Sequence, residues 1–435
     1  MQIEARVAAL WRIEGPRLIG ALARKLRDLG EAEDLAQDAL EQALRSWSEQ
    51  GLPDNPAAWL MAVAQRRALD ALRARRLHAE KEEEFARDLE TLGLDHVQPR
   101  FEDRSQIEDD QLRLIFTACH PLLNAQARAA LALKVLAGLS NAEIARGFLT
   151  QEATIAQRVV RAKRSLAEAR VPFEQPQGEE RRARLASVLE VVYLIFNEGH
   201  SASAGPDWMR PALCEEAQRL ARSLVFLMPK EDEVKGLCAL ILLSAARLPA
   251  RLDAASGQPV LLMDQDRSRW DRSLIRQGLA LLDDVRRPGP YSLQARIAAV
   301  HARALKAEDT DWLAIVALYD GLAQIAPSPV VALNQAVAIS RAEGPGFGPL
   351  AALPLIEQLG EEKLLARYAW LHSAHGDVLE RLGRYAEARA AFIRAAALSG
   401  NAAERQLLEA RASSLTSLTS AESANIVCIN AKNRS

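Results

Sequence analysis

The chain has 435 residues, of which 49% are hydrophobic and 26% charged, and a net charge of −2. This describes a globular chain of two to four domains with a real core, and it excludes a polycation, so any nucleic-acid surface must concentrate basic charge locally. Aromatics make up only 5%, while Ala, Leu and Arg are abundant, which favours helices because these side chains cost least in a helix.

The N-terminus mixes Glu4, Arg6, Arg12 and Glu14 into its apolar residues, unlike a signal peptide. Residues 1–28 predict one or two helices with Val7, Leu10, Trp11, Leu18, Leu22 and Leu26 on the apolar side, interrupted at Gly30. Glu31 to Trp47 predicts an amphipathic helix. Leu35, Ala39, Ala43 and Trp47 line one face, and Glu33, Asp34, Gln37, Asp38 and Glu41 make the other acidic. That face is either simply solvated or a docking surface for a basic partner. Ser48 to Pro56, with Gly51, Pro53 and Pro56, reads as a loop. A long helix follows over Ala57 to Leu77, with Trp59, Val63, Leu69 and Leu72 toward the core. Arg66, Arg67, Arg73, Arg75 and Arg76, with Asp70 as the only acid, make it strongly basic, a stripe suited to a nucleic-acid groove.

Residues 81–110 are rich in acids and read as a partly helical linker. Helices then lead to Gly138–Leu166, which reads as a helix-turn-helix. Ser140 with Glu143 forms a capping box that starts a short helix at Asn141, and the pattern breaks at Gly147. Thr150 or Gln151 caps a second helix, whose Ile155, Val159, Ala162 and Leu166 form one apolar stripe. Its polar side carries Gln151, Glu152, Thr154, Gln157, Arg158, Arg161 and Arg164. Side chains near the start suit base edges in a major groove, and Arg161, Lys163 and Arg164 suit phosphates.

Three motifs in order, AEDLAQDAL (Ala32–Leu40), WLMAVAQRRALDALRARR (Trp59–Arg76) and the helix-turn-helix, resemble those of sigma-70 family initiation factors of the extracytoplasmic-function group. The resemblance implies an all-α fold: a first helical domain (1–80), the acidic linker (81–110) and a second helical domain (111–172) ending in the helix-turn-helix. It implies core RNA polymerase and promoter DNA as partners, with no enzymatic activity. Asp34, Gln37, Asp38 and Glu41 would dock on polymerase. Arg66, Arg67, Asp70, Arg73, Arg75 and Arg76 would meet the −10 element. Gln151, Glu152, Thr154, Gln157, Arg158, Arg161, Lys163 and Arg164 would meet the −35 element. Two departures stand out: Arg67 replaces an Asn common in the family, and Leu149 stands where many such turns have Gly.

Residues 180–290 read as a helical extension, in which Leu213–Met228 and Glu231–Leu248 form a helical pair. FNEGH (Phe196–His200) lacks the spacing of a histidine metal motif and reads as a turn with a polar cap. The charges of Asp264, Asp266, Arg267, Arg269, Asp271 and Arg272 balance within one loop, as for an ion-pair network or an interdomain contact. Residues 291–412 carry an internal repeat: Ile315, Tyr319 and Leu322 before Pro327, and Tyr385, Ala388, Phe392 and Ala395 at matching offsets. The units resemble tetratricopeptide repeats, which stack into a concave face for an unknown protein partner. The middle unit, Asn334–Leu359, looks degraded by GPGFGP. Residues 413–435, rich in Ser and Thr, read as a disordered tail.

Cys119, Cys214, Cys238 and Cys428 form no CxxC pair, so no zinc, redox motif or other cofactor is implied, and single cysteines fit a reducing cytoplasm. The longest apolar run, Leu237 to Ala246, is too short for a bilayer. Three readings stand at the sequence level: a sigma factor whose C-terminal repeats regulate it, a helix-turn-helix regulator with a repeat-type sensor, and an enzyme, which has only the FNEGH stretch behind it. The acidic Asp34–Glu41 helix favours the first.

Overall fold

The structure, a computed structural model, describes residues 2–79, 104–148, 150–363 and 365–416. Among them every regular element is a helix; extended pairing is limited to two isolated bridges, Gly205 with Asn401 and Leu252 with Pro259. The chain forms two compact units, Met1–Ile195 and Phe196–Ser435.

The first unit opens with α1 (Gln2–Leu26) and α2 (Leu29–Gln50). The break between them falls earlier than the expected one at Gly30. Arg27 adopts a positive φ of 54°, and the Asp28 carboxylate accepts the Glu31 N–H at 2.9 Å, so Gly30 sits inside the first turn of α2. The buried stripe of α2 is Ala32, Ala36, Ala39, Ala43 and Trp47, while Leu35 is only half-buried. Glu33, expected on the acidic outer face, is 4% exposed.

Helix α3 (Pro56–Ala79) starts where Asn55 Oδ1 accepts the Ala58 N–H at 3.0 Å. Among its described side chains the buried ones are Leu60, Ala64 and Ala68. The expected core residues Trp59, Val63, Leu69 and Leu72 lie at its half-buried flanks. Trp59 meets Trp47 edge-on, with ring centroids 5.2 Å apart. Small side chains win the contact line because α1 and α2 both press on α3.

Helices α4 (Arg104–Ala118), α5 (Ala125–Val135), α6 (Asn141–Gly147) and α7 (Glu152–Glu168) follow. Residues 104–110, counted with the linker, already belong to α4, and Asp110 is a buried structural acid, 1% exposed and bound by Arg24 and Arg113. Residues 80–103 and Leu149 lie outside the described residues.

Helix α8 (Gly178–His200) crosses the boundary between the units. In its first part Ser187 and Glu190 receive the buried Arg128 guanidinium, with Glu190 at 2.8 Å. Ser187 in turn donates to the Cys119 carbonyl at 2.6 Å. The first unit therefore extends past Pro172 to Ile195.

The second unit is a run of helices, each packed on the next from α9 to α17: α9 (Pro211–Leu227), α10 (Asp232–Ala245), α11 (Arg272–Asp283), α12 (Pro290–Arg303), α13 (Trp312–Ile325), α14 (Pro329–Arg341), α15 (Pro349–Leu359), α16 (Ala369–Arg381) and α17 (Tyr385–Leu398). GPGFGP does not erase the middle pair. Gly344, Gly346 and Gly348 take positive φ and make the turn between α14 and α15, which Pro349 then starts. In the pair α16 and α17, Gly376 packs directly on the ring of the fully buried Phe392. A last helix spans 402–416, so the first residues assigned to the tail are ordered and Leu415 is buried. Residues 417–435, including Cys428, lie outside the described residues.

The charged loop 264–272 is no ion-pair network. Asp266 and Asp271 accept backbone N–H groups of Ser268, Ser273 and Leu274, and Arg267 is buried against carbonyls. No described helix is long and apolar enough to cross a membrane.

Candidate nucleic-acid and polymerase interface

The helix-turn-helix is α6 and α7 on a base of α5. Its first helix starts with the expected capping box: Ser140 Oγ accepts the Glu143 N–H at 3.1 Å, and Glu143 Oε2 accepts the Ser140 N–H at 2.8 Å. Burial works against the charged Glu143 carboxylate, but the Ser140 bonds and Arg12 outweigh it and hold its pKa below the ordinary value. Gln151 is the N-cap of α7 without a side-chain cap bond. Ile155, Val159, Ala162 and Leu166 are buried, as the stripe requires.

The opposite side leaves Gln151, Glu152, Thr154, Gln157, Arg161 and Arg164 exposed and Arg158 half-buried. Arg164 bonds Glu168 one turn on, at 2.6 Å. These side chains form one polar surface starting at the helix N-terminus, the end of a recognition helix that reaches base edges.

Lys163 stands apart from that surface. Its ammonium lies 2.7 Å from Glu33 Oε2 and 2.8 Å from Asp34 Oδ1 on α2, and its side chain is 12% exposed. Lys134 of α5 approaches the other Glu33 oxygen at 3.8 Å. Burial alone would lower the Lys163 pKa, but Glu33 and Asp34 outweigh it and raise the pKa above the usual lysine value. Sequence reasoning missed Glu33 because local periodicity counts an acid as an outer residue. The available signal was the alanine stripe, which rotates the buried face one position toward Glu33.

The basic helix α3 is engaged too. Arg67 bonds Asp38 at 2.7 Å and Gln42 at 3.2 Å. Arg66 is exposed, and Asp70 pairs loosely with Arg73 at 3.6 Å. The side chains of Arg75 and Arg76 lie outside those described. On α2, Gln37 is half-buried, and the exposed Glu41 lies 3.5 Å from Arg45.

The first and second helical modules are thus closed on each other within the first unit. Lys163 ties α7 to α2, Arg12 bonds Glu143 at 3.3 Å, and Arg24 bonds Asp110 at 2.9 Å. Glycines permit the close fit. A Cβ on Gly20 would meet the Asp110 carbonyl oxygen at 3.1 Å, and one on Gly138, at φ +67°, would meet the Trp11 ring at 3.1 Å. The His372 and His375 pair belongs to α16: His372 Nε2 contacts the Ala366 carbonyl at 3.2 Å, and His375 lies 3.8 Å from Glu357.

Comparison with known proteins agrees with this geometry. Residues 10–78 match the family model for sigma-70 region 2, residues 113–166 match that for sigma-70 region 4, and residues 184–286 match a family of unknown function, DUF6596. An uncharacterized protein of Rhizobium meliloti (strain 1021) is 46% identical over 89% of this chain and 91% of its own length. The ECF RNA polymerase sigma factor SigK of Mycobacterium ulcerans (strain Agy99) is 30% identical over 34% of this chain and 78% of its own. The probable ECF RNA polymerase sigma factor SigI of Mycobacterium tuberculosis (strain CDC 1551 / Oshkosh) is 29% identical over 40% and 59%. Region 2 with its acidic and basic helices, region 4 with its helix-turn-helix, and a helical C-terminal extension together place this chain in the sigma-70 family, as an alternative sigma factor of the extracytoplasmic-function group.

Proposed function

We propose that this sigma factor exists in a self-masked form that must open on core RNA polymerase. The observation that supports it is the Lys163 contact with Glu33 and Asp34, which joins the −35 reading helix to the helix assigned to polymerase docking. In the same way Arg67, assigned to the −10 element, is held by Asp38, assigned to docking. Residues meant for three external surfaces neutralise one another. Binding of polymerase to Asp34, Gln37, Asp38 and Glu41 would compete for those acids and release Lys163 and Arg67 to DNA. Gln151, Glu152, Thr154 and Arg158 would then read −35 bases. Gln157, Arg161, Lys163 and Arg164 would sit along the same groove. Arg66, Arg67, Asp70, Arg73, Arg75 and Arg76 would track the −10 strand beside the Ser48–Ala58 loop.

The C-terminal unit is the regulatory part of this reading, acting in place of a separate inhibitor or through a protein partner of the repeats. Its stack of helix pairs exposes apolar side chains such as Leu313, Leu350 and Trp370, as protein-binding repeats do. In vitro transcription with core polymerase tests the whole proposal. The full chain should direct initiation from a promoter recovered by selection. A chain ending at Ile195, which keeps the Arg128 contacts of α8, should differ from it in output. Equal transcription by the two proteins with every cell extract added would remove the regulatory role; no transcription by either would remove the initiation role.

A further inference from the structure

The second unit buries two arginines, Arg247 and Arg251, that pair with no carboxylate among the described residues. Arg247 follows α10, and Arg251 comes one turn later, after the 3-10 turn Leu248–Ala250. Arg251 is 5% exposed and Arg247 half-buried. Among the described residues neither guanidinium has a carboxylate within ion-pair distance; the Arg267 charge acts on Arg247, and the Arg247 charge acts on Arg251. The neighbouring Glu198 is already committed to Arg210. Burial, and then Arg267 or Arg247, pushes the two groups down to about 10 and about 9, which still leaves both charged at neutral pH.

Aromatic faces offset part of this cost. Arg251 lies 5.5 Å from the Trp208 ring centroid, and Arg247 and Arg267 lie 5.8 Å and 5.0 Å from that of Trp270. What the rings do not supply is acceptors. The Nε groups of Arg247, Arg251 and Arg267 and the indole N–H groups of Trp208 and Trp270 are buried donors with no acceptor among the described residues. Such clusters of orphaned donors are rare in folded proteins, because an unmet buried donor costs its full desolvation.

Two further groups contact Arg251. Arg251 donates to Ser201 Oγ at 3.0 Å and to His200 Nε2 at 2.9 Å. Since guanidinium can only donate, His200 accepts at Nε2 and carries its proton on Nδ1. Burial, followed by Arg251 and Arg247, keeps that ring neutral. The FNEGH stretch thus leads into this cluster, through His200.

We propose that Arg247 and Arg251, with His200, Ser201 and Trp208, form a binding site for a small dianionic oxyanion, a phosphate group or a pair of carboxylates. Two uncompensated guanidinium charges match a dianion, and guanidinium forks fit planar or tetrahedral oxyanions better than any neutral ligand. The ligand would satisfy donors that the fold leaves open.

The test uses the full-length protein, titrated by calorimetry with inorganic phosphate and with malonate, against chloride at equal ionic strength. Saturable heat is expected with one of them, and the stronger binder identifies the source. At about 100-fold its dissociation constant that anion should raise the unfolding midpoint of the second unit by about 5–10 °C. Arg247→Gln, at the half-buried position, should weaken binding at least about tenfold, and Arg247→Lys less, because charge is retained. Arg251→Gln should do the same or more, with folding checked by circular dichroism. The proposal is overturned if neither anion gives saturable heat, or if Arg247→Gln binds as the wild type does. Because the readout is binding alone, failure here leaves the reading of the sigma regions untouched.

Discussion

Replacing Glu33 with Gln is the sharpest probe of the closed first unit. The change keeps size and shape but leaves the Lys163 ammonium, at 12% exposure, facing a neutral amide. Breaking a well-buried ion pair costs about 3–5 kcal/mol. Asp34 still reaches Lys163 at 2.8 Å, but its side chain is 72% exposed, so it compensates only weakly. A net loss of about 2–3 kcal/mol is expected, which shifts the closed-to-open equilibrium about 30–150-fold. Two assays read it. Amide hydrogen exchange should speed up in α2 and α7, and anisotropy with a selected −35 duplex should show tighter binding, by up to that factor if the closed form dominates. Lys163→Gln should open the unit equally yet fail to gain DNA affinity, since the freed group is the one removed. If Glu33→Gln leaves both exchange and affinity at wild-type values, the closed contact does not control access to DNA.

Three further outcomes follow from particular contacts. Arg158→Ala should cost about 1–3 kcal/mol at a single −35 base position, whereas Arg164→Ala, whose guanidinium pairs with Glu168, should weaken all sequences slightly; selection on randomised duplexes separates the two. Ser140→Ala should destabilise the helix-turn-helix by about 1 kcal/mol at neutral pH. Because the folded Glu143 pKa is depressed, its contribution is present above the ordinary glutamate value and is lost as pH falls through the folded one, so melting curves of Glu143→Gln and wild type should converge in acid. Gly376→Ala should destabilise the α16 and α17 pair by about 1–3 kcal/mol in urea unfolding, because the new methyl would meet the Phe392 ring at 2.7 Å.

The apolar stripe of α7 and the capping box of α6 were legible because both are local: helical periodicity and a three-residue spacing suffice. The type of nearly every helix was legible for the same reason. Register within a helix was less so. In α2 and α3 the large side chains Leu35, Trp59 and Val63 mark the apolar sector, but the innermost line is alanine, because closely pressed helices admit only small residues there. Burial of Glu33 and Asp110 was invisible, since Lys163, which pairs with Glu33, lies 130 residues away in sequence, and Arg24, which pairs with Asp110 alongside the local Arg113, lies 86 residues away. The Arg247 and Arg251 cluster was hidden likewise: nothing local distinguishes an arginine stacked on a tryptophan from one in water.

The burial of Lys163 also sets how the protein should respond to ionic strength. Contacts between a cationic helix and phosphates release counterions, so DNA affinity falls steeply as salt rises. A pair shielded from solvent, such as Lys163 with Glu33, is screened far less. The exposed Arg12–Glu143 pair is the part of the closure that salt would loosen. Rising ionic strength would therefore weaken the open, DNA-bound form more than the closed one. On the proposed self-masking, the closed form would act as a reservoir that fills as salt rises and empties as it falls.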